Sequence, residues 1–276
     1  GCDHRCTFCV IPYGRGKNRS SPAADIISAA QQLVANGCQE IVLSGVDITS
    51  WGVDIDGRPR LGNLVRRLLR EVPDLARLRL SSLDPAESDA ELMDVLAEDQ
   101  RLMPHLHISA QHGDDLILRR MKRRHLGRDI IRFCNEARRR RPDVAFGADI
   151  IAGFPTESWS AHRQTMSMIK DAGISYLHVF PYSPRPSTPA ANMPQLEGTV
   201  IKQRAGELRE LGKAQLHQHL ETLIGTTDRM LVESGNVGHA RNFVKIRLDQ
   251  PFVPASSLVD VKIYRRDQDM LLAYAV

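Results

Sequence analysis

"EIVLSG", residues 40–45, is a short apolar run that closes on Ser44 and Gly45. It follows a helix-period stretch, 23–35, in which Ile26, Ile27, Ala30, Leu33 and Val34 share one face and Gly37 supplies the stop. A continuous rather than alternating run of this length predicts a strand covered on both faces, as in a parallel sheet. "RLRLSS" (77–82), "HLHISA" (105–110), "AFGADIIAG" (145–153) and "YLHVFPY" (176–182) take the same reading. Helical patterns at 61–71, 88–97, 114–124, 128–140 and 158–172 lie between them. Strands and helices therefore alternate as βα units, which gives an α/β fold with a parallel sheet. Ligands of such sheets gather at the carboxyl ends of the strands. The polar residues closing each run, Ser44, Ser81, Ser82, Ser109, Gln111 and Asp149, are the ones to inspect.

The pattern changes after "FPYSPRPSTPA" (180–190). Residues 197–224 predict one long amphipathic helix, and beyond Gly225 come short alternating strands, "DRMLVES", "FVKIRL" and "LVDVKIYRR". These predict a small all-β module, a barrel, and place a domain boundary near Gly225, with units 1–224 and 225–276. No run approaches the roughly 18 apolar residues of a membrane helix and no signal peptide stands at the start, so the expected location is cytoplasmic with no membrane partner. The net charge is only +4, but "RRMKRRHLGR" (119–128) and "RRRR" (138–141) bunch the positive residues. Such runs are either solvated helix faces or polyanion sites.

Three of the five cysteines, Cys2, Cys6 and Cys9, stand in a C-x3-C-x2-C spacing. An odd count with this spacing points to metal ligation rather than to disulfides. Two chemistries remain open. Zinc would need a fourth ligand, for which His4 is the nearest candidate. A four-iron cluster held by three thiolates would keep one iron open to a cofactor. Cys38 and Cys134 lie inside βα elements and read as buried small hydrophobes. His125 and His178 read as structural rather than as metal ligands.

With Phe8 before the last cysteine, the spacing resembles the signature of the radical S-adenosylmethionine (SAM) enzymes. "GCDHRCTFCVIPYGRGKNRSSP" (1–22) resembles their methylthiotransferase branch, and "LSGVDITSWG", "HISAQHGDD", "RRMKRRH", "DIIAGFPTE" and "HVFPYSPRPSTPA" are similar to that branch's successive blocks in its order. The resemblance covers essentially the whole chain. It departs at "SAQHG", where the family more often carries a leucine at Ala110 and a small residue at His112. It implies a partial (βα)6-type radical SAM barrel followed by a TRAM-like RNA-binding barrel. "GCDHRCTFC" and "IPYGRG" are closest to enzymes that methylthiolate N6-threonylcarbamoyladenosine beside the tRNA anticodon. Relatives acting on isopentenyladenosine or on a ribosomal protein are the alternatives, and a zinc-stapled, non-catalytic RNA-binding protein is the rival of another class.

The same resemblance implies a 4Fe-4S cluster on Cys2, Cys6 and Cys9, with SAM on the open iron. Reductive cleavage of SAM would give a radical that removes hydrogen from adenine C2, where the methylthio group then enters. Phe8, Ser44, Gly45, Ser109, Gln111 and Asp149 are the expected cofactor contacts. Arg15, Arg19, Lys122, Arg123, Arg124, Arg241, Phe243, Lys245 and Arg247 are the expected RNA contacts, with the anticodon stem-loop as partner and flavodoxin or ferredoxin as electron donor. Family members also carry an N-terminal domain with a second 4Fe-4S cluster and a barrel strand before the first ligand cysteine. This chain is therefore expected to be an N-terminally truncated piece, incomplete for full turnover.

Overall fold

The structure, a computed structural model, describes residues 1–276. A short helix α1 (Ile11–Arg15) and a longer one, α2 (Ala23–Ala35), lead into five parallel strands. These are β1 (Glu40–Leu43), β2 (Arg77–Leu80), β3 (His105–Gln111), β4 (Ala145–Ala152) and β5 (Tyr176–Pro181). Between them run α3 (Leu61–Glu71), α4 (Ala90–Glu98), α5 (Asp115–Arg120), α6 (Gly127–Arg140) and α7 (Trp159–Ala172). Strand β1 pairs β2, and β3, β4 and β5 pair in sequence order, all parallel. Leu83 joins the two groups, donating its N–H to the His107 carbonyl and accepting from the Ser109 N–H at 2.8 and 2.9 Å. The result is an open, curved wall of βα units, as expected.

Local sequence explains the helices. In α3, Leu61, Leu64, Val65, Leu68 and Leu69 recur at helical spacing, and all are buried against the sheet. Asp89 caps α4, Asp114 caps α5 and Ser158 caps α7, each side chain accepting the N–H of the residue three places on. The expected helix over 114–124 is cut short at Arg120. Lys122 stands at φ 58°, a left-handed conformation that turns the chain back on itself. The basic run therefore does not share one helix face.

The outer strands depart from the two-sided burial expected of them. Val42 in β1 and Phe180 in β5 are each about half exposed. They stand on the strands at the two open edges of the wall. In β2, "RLRL" turns Leu78 and Leu80 toward the helices and Arg77 and Arg79 toward the inside, and all four are buried.

The long helix α8 (Gly198–Leu223) links the two parts of the chain. Ala205 and Leu208 belong to the core under the parallel wall, and Leu220 belongs to the second core. Gly212 lets α8 lie against β5, since a Cβ there would meet Leu177 Cβ at 2.8 Å. Five strands follow: β6 (Thr227–Ser234), β7 (Val237–Ala240), β8 (Lys245–Leu248), β9 (Leu258–Asp267) and β10 (Met270–Ala275). They close into a barrel around Met230, Val232, Ile246, Val261, Ile263 and Leu271.

That barrel is docked on the inner face of the parallel wall. The Arg77 guanidinium donates to the carbonyls of His239 and Arg229, and that of Arg79 to Arg241 and Ala240. Glu40 balances both charges. Phe243, in the turn between β7 and β8, stacks between His105 and His239 with ring centroids 4.7 Å from each. Arg79 lies 5.2 Å from the same ring, and Tyr176 Oη donates to the Asn242 carbonyl.

Candidate functional site

The cysteine loop is held from three sides. Cys2 N–H donates to the Gly16 carbonyl, and Cys9 N–H donates to Cys6, closing a tight turn. Thr7 is buried. Its N–H donates to the Met121 carbonyl at 3.1 Å, its hydroxyl to Arg120 at 2.8 Å, and its own carbonyl accepts from Ala190 at 2.9 Å. The loop thus docks on the carboxyl end of α5, where helix carbonyls lack partners. Phe8 meets Phe154 edge to face at 6.5 Å, and Phe154 packs on Tyr182. "GFPTE" and "FPYSP" therefore build the platform under the loop. Sequence reasoning missed Thr7, since a threonine between two cysteines carries no signal until its partners are visible.

Cys2, Cys6 and Cys9 all line one cavity of about 180 Å³ with Phe8, Val46, Asp47, Ser82, Asp84, Ser109, Gln111 and Arg123. All five cysteines of the chain are free thiols. Ser44 and Gly45 line an adjoining cavity with Arg15, Arg19 and Trp51, and Val46 and Asp47 border both. Gln111 ends β3 at φ 65°, where the register with β4 shifts. A non-glycine residue held there costs roughly 1–3 kcal/mol, strain that clusters at functional sites.

Electrostatics around the loop are unusual. Asp84 accepts from Arg123 at 2.9 Å and lies 3.6 Å from His125. Burial opposes its ionisation, but these two neighbours hold its carboxyl well below the usual range. Arg123 also donates to the Ser109 carbonyl, and its other arm lies 3.6 Å from Cys6 Sγ. Burial, together with the Asp47 carboxylate, pushes the Cys2 thiol up to about 11. His4 sits 2.9 Å from Asp47 and 3.2 Å from Glu87, and hydrogen bonds to these carboxylates raise it to about 10.

The donor set fits an iron–sulfur cluster. Three thiols converge on one cavity, a guanidinium stands beside one sulfur, and the second cavity lies against the same wall. His4 Nε2 already faces the Asp47 and Glu87 carboxylates at 2.9 and 3.2 Å, so a zinc ion there would have to displace those contacts.

Several expected RNA contacts lie elsewhere. Arg123 has its side chain 7% exposed and lines the cavity of the three cysteines. Arg124 pairs with Glu87 beside His4. Arg241 pairs with Asp228 and Asp143, and Phe243 is stacked into the interface between the two parts. Arg247 pairs with Asp267, while Lys245 is exposed without an acidic partner. Arg15, Arg19 and Lys122 carry no acidic partner. Asp149 lies outside both cavities, tied to His107 and His178.

The family description "Radical SAM superfamily" matches residues 1–169, which contain the cysteine loop, α1 to α6, most of α7 and strands β1 to β4. The chain belongs to the radical SAM superfamily. Its fold is similar to two solved members. A coproporphyrinogen III oxidase (HemN) from Escherichia coli, a radical SAM enzyme, superimposes with TM-score 0.56 over 78% of this chain and 50% of that one, at 17% identity. The radical SAM methyltransferase TsrM from Kitasatospora setae gives 0.55 over 69% of this chain and 37% of its own, at 20% identity. The chain is also 49% identical over 250 residues to a protein of Rickettsia prowazekii (strain Madrid E) named threonylcarbamoyladenosine tRNA methylthiotransferase MtaB. That match covers 91% of this chain and 59% of the relative, so the chain spans under two thirds of the relative's length. No helix of this superfamily member is long and apolar enough to cross a membrane.

Proposed function

We propose that the chain is the radical SAM core and TRAM-like barrel of a tRNA methylthiotransferase acting at C2 of N6-threonylcarbamoyladenosine beside the anticodon. The observation that carries this is the match to the Rickettsia methylthiotransferase along 91% of the chain, with three cysteines converging on one cavity. Cys2, Cys6 and Cys9 hold a 4Fe-4S cluster, with SAM in the two adjoining cavities lined by Phe8, Ser44, Gly45, Ser109 and Gln111. When bound, this pair supplies one-electron cleavage of the sulfonium and hence hydrogen abstraction from an unactivated carbon. The rest is the work of this chain's residues. Arg123 donates toward Cys6 and is anchored by Asp84. Gln111 and Ser109 line the cavity as polar residues, and Phe8 covers one side against water. Arg15 and Arg19, which line the adjoining cavity, and the exposed Lys122 suit phosphates, while Lys245 offers a charge on the terminal barrel.

The second 4Fe-4S cluster belongs to a preceding domain in this reading, and flavodoxin or ferredoxin supplies the electron. The test is anaerobic incubation of the reconstituted protein with SAM, dithionite and anticodon stem-loops bearing threonylcarbamoyladenosine or isopentenyladenosine, or with ribosomal protein. The reading expects 5′-deoxyadenosine formation stimulated by the threonylcarbamoyladenosine RNA alone, with deuterium transferred from C2. Stimulation by another substrate would reassign it within the branch. A second reading, a zinc-stapled RNA-binding protein, draws on Cys2, His4 and Asp47, whose ligand atoms lie within 4.8 Å of one another. Zinc without iron in the isolated protein would favour it.

A further inference from the structure

Outside the two cavities, the inner face of the parallel wall carries a second constellation. His107 on β3, Asp149 on β4 and His178 on β5 stand on three adjacent strands. Asp149 is directly opposite His178 in register, and His107 is opposite Gly147. Asp149 Oδ1 lies 2.8 Å from His107 Nε2 and 3.3 Å from His178 Nδ1. One ligand atom from each residue falls within 4.8 Å of the others. We propose that His107, Asp149 and His178 form a binding site for a divalent transition-metal ion, separate from the iron–sulfur site.

The donor chemistry selects the class of ion. Two imidazoles and one carboxylate with open positions suit first-row metals such as Fe²⁺, Mn²⁺, Co²⁺ or Zn²⁺. Ca²⁺ and Mg²⁺ want a shell of oxygens that this site lacks. The ligands stand on sheet strands, so their spacing is fixed by backbone register and not by a loop.

Gly147 is part of the arrangement. A Cβ there would lie 2.5 Å from His107 Nδ1, so the glycine lets the ring lie back against β4 while Nε2 aims at the carboxylate. Asp149 Oδ2 takes no hydrogen bond from the protein, leaving an oxygen for a metal. Access is built in: the side chains of His107 and Asp149 are 11% and 22% exposed, while that of His178 is 62% exposed. The ion would enter past His178. This sets aside the expectation that His178 is only structural, and it stands whether or not the methylthiotransferase reading holds.

The test is anaerobic titration of Co²⁺ into the reconstituted protein with its cysteines already occupied by iron. The expected result is one Co²⁺ per chain with weak visible absorption and no intense thiolate-to-cobalt band. Asp149→Asn and His178→Ala should each weaken that binding by roughly tenfold or more, a loss no smaller than that of an outer-shell partner. Gly147→Ala should weaken it without removing a ligand. His178, the most exposed of the three, can be replaced without disturbing the core, so unchanged affinity in His178→Ala would overturn the proposal. So would the absence of any Co²⁺ beyond the cysteine loop, which would leave a plain hydrogen-bonded triad.

Discussion

Arg123 bonds Asp84 and the Ser109 carbonyl while its other arm reaches toward Cys6 Sγ. Truncating it strands a carboxylate whose side chain is 6% exposed. Arg123→Met should therefore cost about 3 kcal/mol of stability in denaturant titration, the usual penalty for breaking a buried pair. It should also weaken retention of the cluster, read from visible absorption. A second buried network joins Glu157 to His112, His162 and Arg204. Burial opposes ionisation of Glu157, yet these partners hold it at about 2 against an ordinary 4.5. A depressed carboxyl stabilises the fold above about 4.5, and that stability is lost as pH falls from 4.5 toward 2. The window corresponds to about 3 kcal/mol. Glu157→Gln should flatten the acid limb of a pH-resolved melting series. At this scale the sequence displayed the three cysteines but not the inward placement of Arg123, because a basic run names charge without direction. His112, a departure from the family pattern, takes its meaning from Glu157, 45 residues away.

The elements place those residues. Thr7 fastens the cysteine loop to the carboxyl end of α5, so Thr7→Val should lower stability by about 1–3 kcal/mol by leaving the Arg120 carbonyl without its hydroxyl donor. Iron content after reconstitution should fall with it, while Thr7→Ser keeps the donor and should restore both. Helix α8 runs close over β5 at Gly212, and Gly212→Val should cost roughly 1–3 kcal/mol through overpacking against Leu177, measurable by thermal melting. Hydrophobic periodicity made α2, α3, α7 and α8 legible to within a residue or so. It overran α5, because 114–124 keeps a helical composition while Lys122 adopts a left-handed turn that no periodicity reports. The edge strands were legible as strands but not as edges, since Val42 and Phe180 are apolar yet face an opening.

For the whole molecule, the terminal barrel and the parallel wall share one buried joint. Arg77 and Arg79 are almost wholly buried, and four backbone carbonyls of the terminal barrel receive their guanidinium groups. Arg79→Ala should release the barrel, so that proteolysis near Gly225 accelerates and the unfolding transition broadens or splits. Removing one side of such a buried array costs about 3–5 kcal/mol. An alternating "RLRL" strand gave no hint of this joint, because its partners lie over 150 residues on. The presence of a small barrel was legible from alternating strands, whereas its docking and the stacking of Phe243 between His105 and His239 were not.

The central claim is that three cysteines in this chamber hold a cluster whose open iron takes SAM. Iron analysis with electron paramagnetic resonance of the reduced protein, with and without SAM, tests it most directly. The account expects about four irons per chain, as in a cubane cluster, and a spectrum that changes when SAM is added. Zinc with no iron, or an iron signal indifferent to SAM, would contradict it.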